Sequence, residues 1–189
     1  MKSPLSYLPL ASGFLVLVLS LAIGVLTVTS KNTLVSPSQN MSTKAAQETG
    51  SLSLSPATGD YSFAAGTSYP VGIIVSSGEK SLDGVGIIIN FDPKMAQVVG
   101  KVTTANLFEQ YMVNSIDNVS GQIKLGALTF TSKPVTGVVG TFKFTPLKPG
   151  TVDFTFVFTP GSTTDTNLAE TKTARDVLGS VENASYVFK

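Results

Sequence analysis

The sequence predicts an all-β sandwich or barrel preceded by one N-terminal transmembrane helix, and three observations predict it. Short apolar runs recur at regular spacing from Ser51 onward, each bounded by Gly, Pro, Asn, Asp or Ser. No stretch of ordinary length carries the 3.6-residue apolar period of an amphipathic helix. Residues 1–30, by contrast, hold one long uncharged aliphatic run.

That run comes first in the chain. No residue from Ser3 to Ser30 is charged, and its centre, Phe14–Leu26 (FLVLVLSLAIGVL), is almost wholly aliphatic. A helix needs about 20 apolar residues to cross a ~30 Å hydrocarbon core, which Leu8–Val28 supplies. Lys2 and the α-amine form a short basic head, and Val28-Thr29-Ser30 has the small residues of a cleavage site. The span exceeds the ~7–15 residues of a signal-peptide core, which favours an uncleaved anchor over a secreted product. The expectation for residues 1–30 is a single pass through the cell membrane, with the remainder outside. Cleavage would instead secrete the domain. Residues 31–50 (KNTLVSPSQNMSTKAAQETG) are polar and aperiodic, as a flexible tether is.

The domain is expected over residues 51–189. Ser51–Ser55 alternates with Leu52 and Leu54 inward. Tyr69–Ser76 is closed by the turn residues Ser77-Gly78, and Val85–Phe91 by Asp92-Pro93. Met95–Val102, Phe108–Val113 and Gln122–Phe130 follow, the last preceded by the turn Asn118–Gly121. Val138–Thr145 and Thr151–Phe158 flank Pro146–Gly150, and Ser185–Phe188 is the last strand. That makes about nine short strands. Phe142 and Phe144 share one face with Lys143 opposite, and Phe154, Phe156 and Phe158 share another. These five rings are expected to supply much of the core, since each aromatic buries ~150–250 Å².

Several stretches in this order resemble the cohesin modules, the receptor half of cohesin–dockerin pairs. They are Gly84–Pro93 (GVGIIINFDP), Gly121–Ala127 (GQIKLGA), Gly140–Phe144 (GTFKF), Pro149–Phe154 (PGTVDF) and the following Gly161-Ser162. The resemblance covers residues 51–188. It implies a nine-strand jelly-roll β-sandwich, related to some carbohydrate-binding modules. It also implies a non-catalytic docking role toward dockerin-type partners in polysaccharide degradation. In cellulosomal cohesins the partner lies across one outer sheet and touches polar side chains on the strand that ends in aromatic-Asp-Pro. Here that strand turns Val85, Ile87, Ile89 and Phe91 inward and Gly84, Gly86, Ile88 and Asn90 outward. Two glycines thus stand where cellulosomal cohesins commonly present polar contacts. The resemblance puts the third and sixth strands in one sheet, so Ile88, Asn90, Lys124 and Leu128 are expected to share the partner-binding face, a small apolar patch with a polar rim.

Composition narrows the chemistry. The 189 residues include no Cys, His or Trp, which removes disulfides, Cys/His zinc sites, thiol nucleophiles and His-based triads. Charged residues are 13% and the net charge is +1, so the basic excess of a nucleic-acid binder is absent. The mean hydropathy is +0.28. No Ser sits in a G-x-S-x-G elbow, and no phosphate-binding Gly loop occurs. The reading is therefore not an enzyme.

The segment 159–183 reads as a long loop between the last two strands, and long loops are commonly functional. Asp165-Thr166-Asn167 has the D-x-N spacing of calcium-binding loops, with Asp176 as a further oxygen donor, although the twelve-residue EF-hand frame is missing. Turn capping by the same residues is the alternative. A surface-glycan partner is the other binding class. It would have to use Tyr61, Tyr69, Tyr111 or Tyr186, two of which are expected to pack against the sheets. A purely structural cell-surface domain is the third class. The N-x-S triplets at Asn40, Asn118 and Asn183 are read as chance.

Overall fold

The computed structural model describes residues 50–189, all-β throughout. The expected membrane span of residues 1–30 and the tether up to residue 49 lie outside the described residues. Gly50 is already the first residue of a strand.

Ten strands follow in chain order: β1 (Gly50–Ser55), β2 (Thr58–Tyr61), β3 (Tyr69–Phe91), β4 (Ala96–Thr104), β5 (Gln110–Asp117), β6 (Gln122–Pro146), β7 (Gly150–Phe156), β8 (Asn167–Glu170), β9 (Leu178–Glu182) and β10 (Ala184–Phe188). The expected nine differ from these in two ways. Two pairs of expected strands are each one long strand, β3 and β6. Their polar middles read as turns, but they bend together instead of reversing: Ser81 pairs with Pro134 and Leu82 with Lys133. The Ser77 hydroxyl bridges the bend, accepting from Val135 N at 2.9 Å and donating to Lys80 O at 2.7 Å. The second difference is the three short strands β2, β8 and β9, which sequence alternation does not mark. Two of these, β8 and β9, occupy the segment expected to be a loop.

The bends in β3 and β6 divide the sandwich into two layers. The first half of β3 pairs antiparallel with β1 (Leu54 opposite Ile73) and with the second half of β6 (Val71 opposite Phe142), which also pairs with β4. The second half of β3 pairs with the first half of β6 (Ile87 opposite Leu125), with β8 and with the end of β7. To this layer β6 adds β5, and β7 adds β10. Two parallel pairings, β1 with β9 and β2 with β10, complete the ladder.

Alternation explains the core. On β3, Val71, Ile73 and Val75 point inward from one layer, and Val85, Ile87, Ile89 and Phe91 from the other. Phe142 and Phe144 of β6 meet Phe154 of β7 at ring-centroid distances of 4.9 Å each, and Phe144 meets Tyr186 of β10 at 5.2 Å. β6 and β7 share no ladder, so these are face-to-face contacts between layers. Four of the five expected Phe rings are buried. Phe158 lies past the end of β7 and is half-buried against the core.

The strand ending in Phe91-Asp92-Pro93 is held at its end by two devices. Asp92 Oδ1 accepts from Lys94 N at 2.8 Å, and Phe91 N donates to Gly121 O at 2.8 Å. Gly121 has φ +70°, and a Cβ there would sit 2.0 Å from Phe91 O. Only glycine fits this crossing.

Candidate functional site

The outer face of the layer formed by β8, β3, β6 and β5 gathers the expected docking residues. Ile88 is directly opposite Lys124, and Gly84 opposite Leu128. Asn90 is opposite Gln122, whose Nε2 donates to Asn90 Oδ1 at 3.0 Å. All four residues thus lie on one face, because the second half of β3 and the first half of β6 keep an unbroken period of two. Asn90, Lys124 and Leu128 are exposed. Ile88 is half-buried, with its backbone N–H and C=O both held by the Thr166 hydroxyl at 3.0 and 3.1 Å.

The centre of this face is floored by glycine. Gly84 and Gly86 of β3 and Gly126 of β6 leave a shallow hollow of about 250 Å³, walled by Met112, Leu128, Asn167 and Ala169. A Cβ on Gly86 would come 3.1 Å from Asn167 Nδ2, and one on Gly126 would come 3.4 Å from Val113. One on Gly84 would strike Ala127 O at 2.8 Å.

Met112 reaches the hollow through a β-bulge. The register of β5 on β6 shifts between Tyr111 and Val113, so that Tyr111 faces Ala127 and Val113 faces Gly126. Met112 is the extra residue. The bulge turns two consecutive side chains outward, Met112 at 61% and Val113 at 43% exposure. Leu128 and Phe130, on the same side of β6, are 39% and 72% exposed. Strict alternation from Lys124 makes Phe130 legible in the sequence as an outward residue. The bulge at Met112 has no such signal, and neither does the arrival of β8 with Asn167 and Ala169.

Glu109 secures β6 where its first half runs into the bend. Its Oε1 accepts from Thr131 Oγ1 at 2.6 Å and its Oε2 from Phe130 N at 3.3 Å. Hydrogen bonding from the Thr129 and Thr131 hydroxyls holds its carboxyl down at about 2. At the other end of the face, backbone and hydroxyl donors of Ser120 lower Asp117, with a smaller contribution from the charge of Lys124.

Of the residues expected to bind calcium, Asp176 and Asn167 bond to backbone groups through one side-chain atom each, while Asp165 Oδ1 and Asp176 Oδ2 are buried without a hydrogen-bond partner. Asp176 is 4% exposed, and its Oδ1 accepts from Leu168 N at 2.9 Å and Leu178 N at 3.0 Å. Asn167 donates from Nδ2 to the backbone oxygens of Thr163 and Asp165. Asp176 and Asn167 thus serve backbone groups, as turn and strand caps do. Among the described residues, no three Asp, Glu, His or Cys side chains are grouped together.

The four tyrosines among the described residues are packed as well. Tyr186 is buried, its hydroxyl donates to Pro56 O, and desolvation pushes its phenol up to about 12. Tyr61 stacks on Phe188 at 5.5 Å and tilts against Tyr69 at 4.7 Å. The Tyr111 hydroxyl lies 2.6 Å from Ala105 O and 2.8 Å from Val139 O, and burial raises its pKa.

No family model matches the chain, and no curated protein matches it in sequence. Solved structures do match. A cohesin from Clostridium acetobutylicum, determined in solution, superposes with a TM-score of 0.58 at 17% identity, over 76% of this chain and 92% of that one. The third cohesin of ScaC from Acetivibrio cellulolyticus, solved in complex with the ScaB dockerin, gives 0.58 at 16%, over 74% of this chain and 99% of its own. The chain has a cohesin-like fold. A non-cellulosomal cohesin from the archaeon Archaeoglobus fulgidus also superposes, with a TM-score of 0.51 at 13% identity, over 74% of this chain and 91% of that one. The cohesin-like fold accounts for the order of the motifs noted in the sequence, since each lies on a strand or turn of the two layers.

Proposed function

We propose that this cohesin-like domain is a non-catalytic docking module, tethered to the cell membrane by residues 1–30 and displayed outside the cell. It takes a dockerin-type protein on the outer face of β8, β3, β6 and β5. The observation that carries the reading is the exposed apolar group Met112, Val113, Leu128 and Phe130 on that face, rimmed by Asn90, Gln122 and Lys124. Contiguous apolar surface with a polar rim marks interaction sites. The likeness to cohesins solved with dockerins supports the class of partner. A polysaccharide-degrading enzyme carrying the dockerin is the cargo that this reading implies.

The test is capture of purified dockerins by the full-length protein in detergent, compared with Ile88→Asp. The variant keeps its fold, because Ile88 faces away from the core, and loses more than ~1 kcal/mol of affinity, about fivefold. Undiminished capture by the folded variant would move the partner to another surface. The anchor is tested separately. Full-length protein should resist carbonate extraction from membranes, whereas a mature N-terminus near Lys31 would make the domain a secreted one.

A further inference from the structure

The charge on the proposed docking face is confined to its ends. Lys124 and Asp117 are diagonal neighbours at one end, since Lys124 pairs with Ser115 and Asp117 with Gln122. Toward the other end lie Asp83, which accepts from Thr171 Oγ1 at 2.8 Å, and Glu109, held by Thr131. Ile88 stands directly opposite Lys124. Between these ends the outward residues are Gly84, Gly86, Met112, Val113, Gly126 and Leu128, with Asn167 and Ala169 alongside. None of them ionises.

A charged partner group set against this centre would lose its hydration and find no counter-charge, so the matching surface is neutral. The hollow adds a shape requirement. About 250 Å³ is less than the ~300–1,000 Å³ of small-molecule sites, and it suits a single side chain. Its floor is bare because three residues lack a Cβ. Its wall is completed by a thioether, a flexible and polarisable group that adapts to irregular apolar shapes.

Building on the docking reading, we infer that the partner is anchored by one bulky aliphatic side chain inserted into the glycine-floored hollow, from a contact surface uncharged at its centre. Met112 is the residue that fits the hollow to that side chain, and Gly86 and Gly126 set its depth. Binding of this kind is insensitive to salt, because no ion pair is screened.

The test uses full-length protein in lipid nanodiscs with ¹³C-methyl methionine, the Met112 signal being identified by its loss in Met112→Leu. The probes are N-acetyl-leucinamide, N-acetyl-lysinamide and N-acetyl-glycinamide. Leucinamide is expected to shift the Met112 methyl saturably, equally at low salt and at about tenfold higher salt, while the other two leave it unmoved. Gly86→Val and Gly126→Val fill the floor and abolish the shift. Gly86→Ala, which needs only the end of the Asn167 side chain to move, weakens it and serves where a valine variant fails to fold. An equal response to all three probes, no response, or a shift that persists in folded Gly86→Val would overturn the inference. Dockerin capture separates the two readings. Capture abolished by Ile88→Asp but untouched by Gly86→Val would overturn the hollow as anchor and leave the docking reading standing. Specific leucinamide binding without capture of any dockerin would overturn the docking reading and leave the hollow.

Discussion

The side-chain amide of Asn118 pairs with both backbone polar groups of Val98. Its Oδ1 accepts from Val98 N and its Nδ2 donates to Val98 O, each at 2.9 Å. Asn114 repeats the arrangement with Val102, at 3.1 and 2.8 Å. The spacing of four is the same on both sides, Asn118 lying one residue past the end of β5. The two amides stand in for the missing ladder between β4 and β5, closing an edge between layers that would otherwise present free N–H and C=O groups. Replacing Asn118 with Ala leaves both groups of Val98 unpaired in a half-buried place, at a cost of about 1–3 kcal/mol. Urea unfolding of the variant should show this loss with an unchanged m value. A loss within error would mean that water replaces the amide freely.

Glu109 makes the end of the docking face sensitive to acid. Its carboxyl titrates at about 2 in the folded protein, below the ordinary value of 4.5. A lowered folded pKa adds stability above the unfolded pKa, and this is lost as pH falls through the window between the two. The melting temperature of the wild type should therefore exceed that of Glu109→Gln at pH 6, and the two should converge toward pH 2. A gap independent of pH would assign the effect to the hydrogen-bond geometry alone. The carboxylate is exposed, so the difference is small.

Asp176 holds the start of β8 to the start of β9. Asp176→Ala frees two buried backbone N–H groups and is expected to cost about 2–4 kcal/mol, whereas Asp176→Asn keeps an acceptor for both and costs less. With Asp176 Oδ1 and the Asn167 amide turned to the backbone, calcium and EDTA are expected to give the same melting curve. A rise in melting temperature with calcium that Asp165→Ala removes would establish the metal reading of this segment instead.

Phe154 joins the layers. It is wholly buried and touches Phe91, Phe142, Phe144 and Tyr186 at centroid distances from 4.9 to 6.3 Å. Phe154→Ala should cost about 3–5 kcal/mol. Denaturant titration followed by near-UV circular dichroism measures it, and a cost below ~1 kcal/mol would mean that the layers close over the gap.

Local alternation determined much of this protein. It placed Val85, Ile87, Ile89 and Phe91 inward and Gly84, Gly86, Ile88 and Asn90 outward. It paired Phe142 with Phe144, and it put Lys124 and Leu128 on one side of their strand. Such parity needs no tertiary information, because successive residues of an extended chain face opposite ways whatever lies beside them. Three features were decided only by neighbouring strands. The polar middles of β3 and β6 became continuous strand because Ser81 and Leu82 pair with Pro134 and Lys133, and the Ser77 hydroxyl holds Val135 N and Lys80 O across the bend. Met112 was turned outward because β5 carries one residue more than β6 can pair. Asn114, Asn118 and Asp176 became partners of distant backbone groups because the fold left those N–H and C=O groups without a ladder. In each case the deciding quantity is the satisfaction of backbone hydrogen bonds between segments far apart in sequence, which the pattern of apolar residues does not encode.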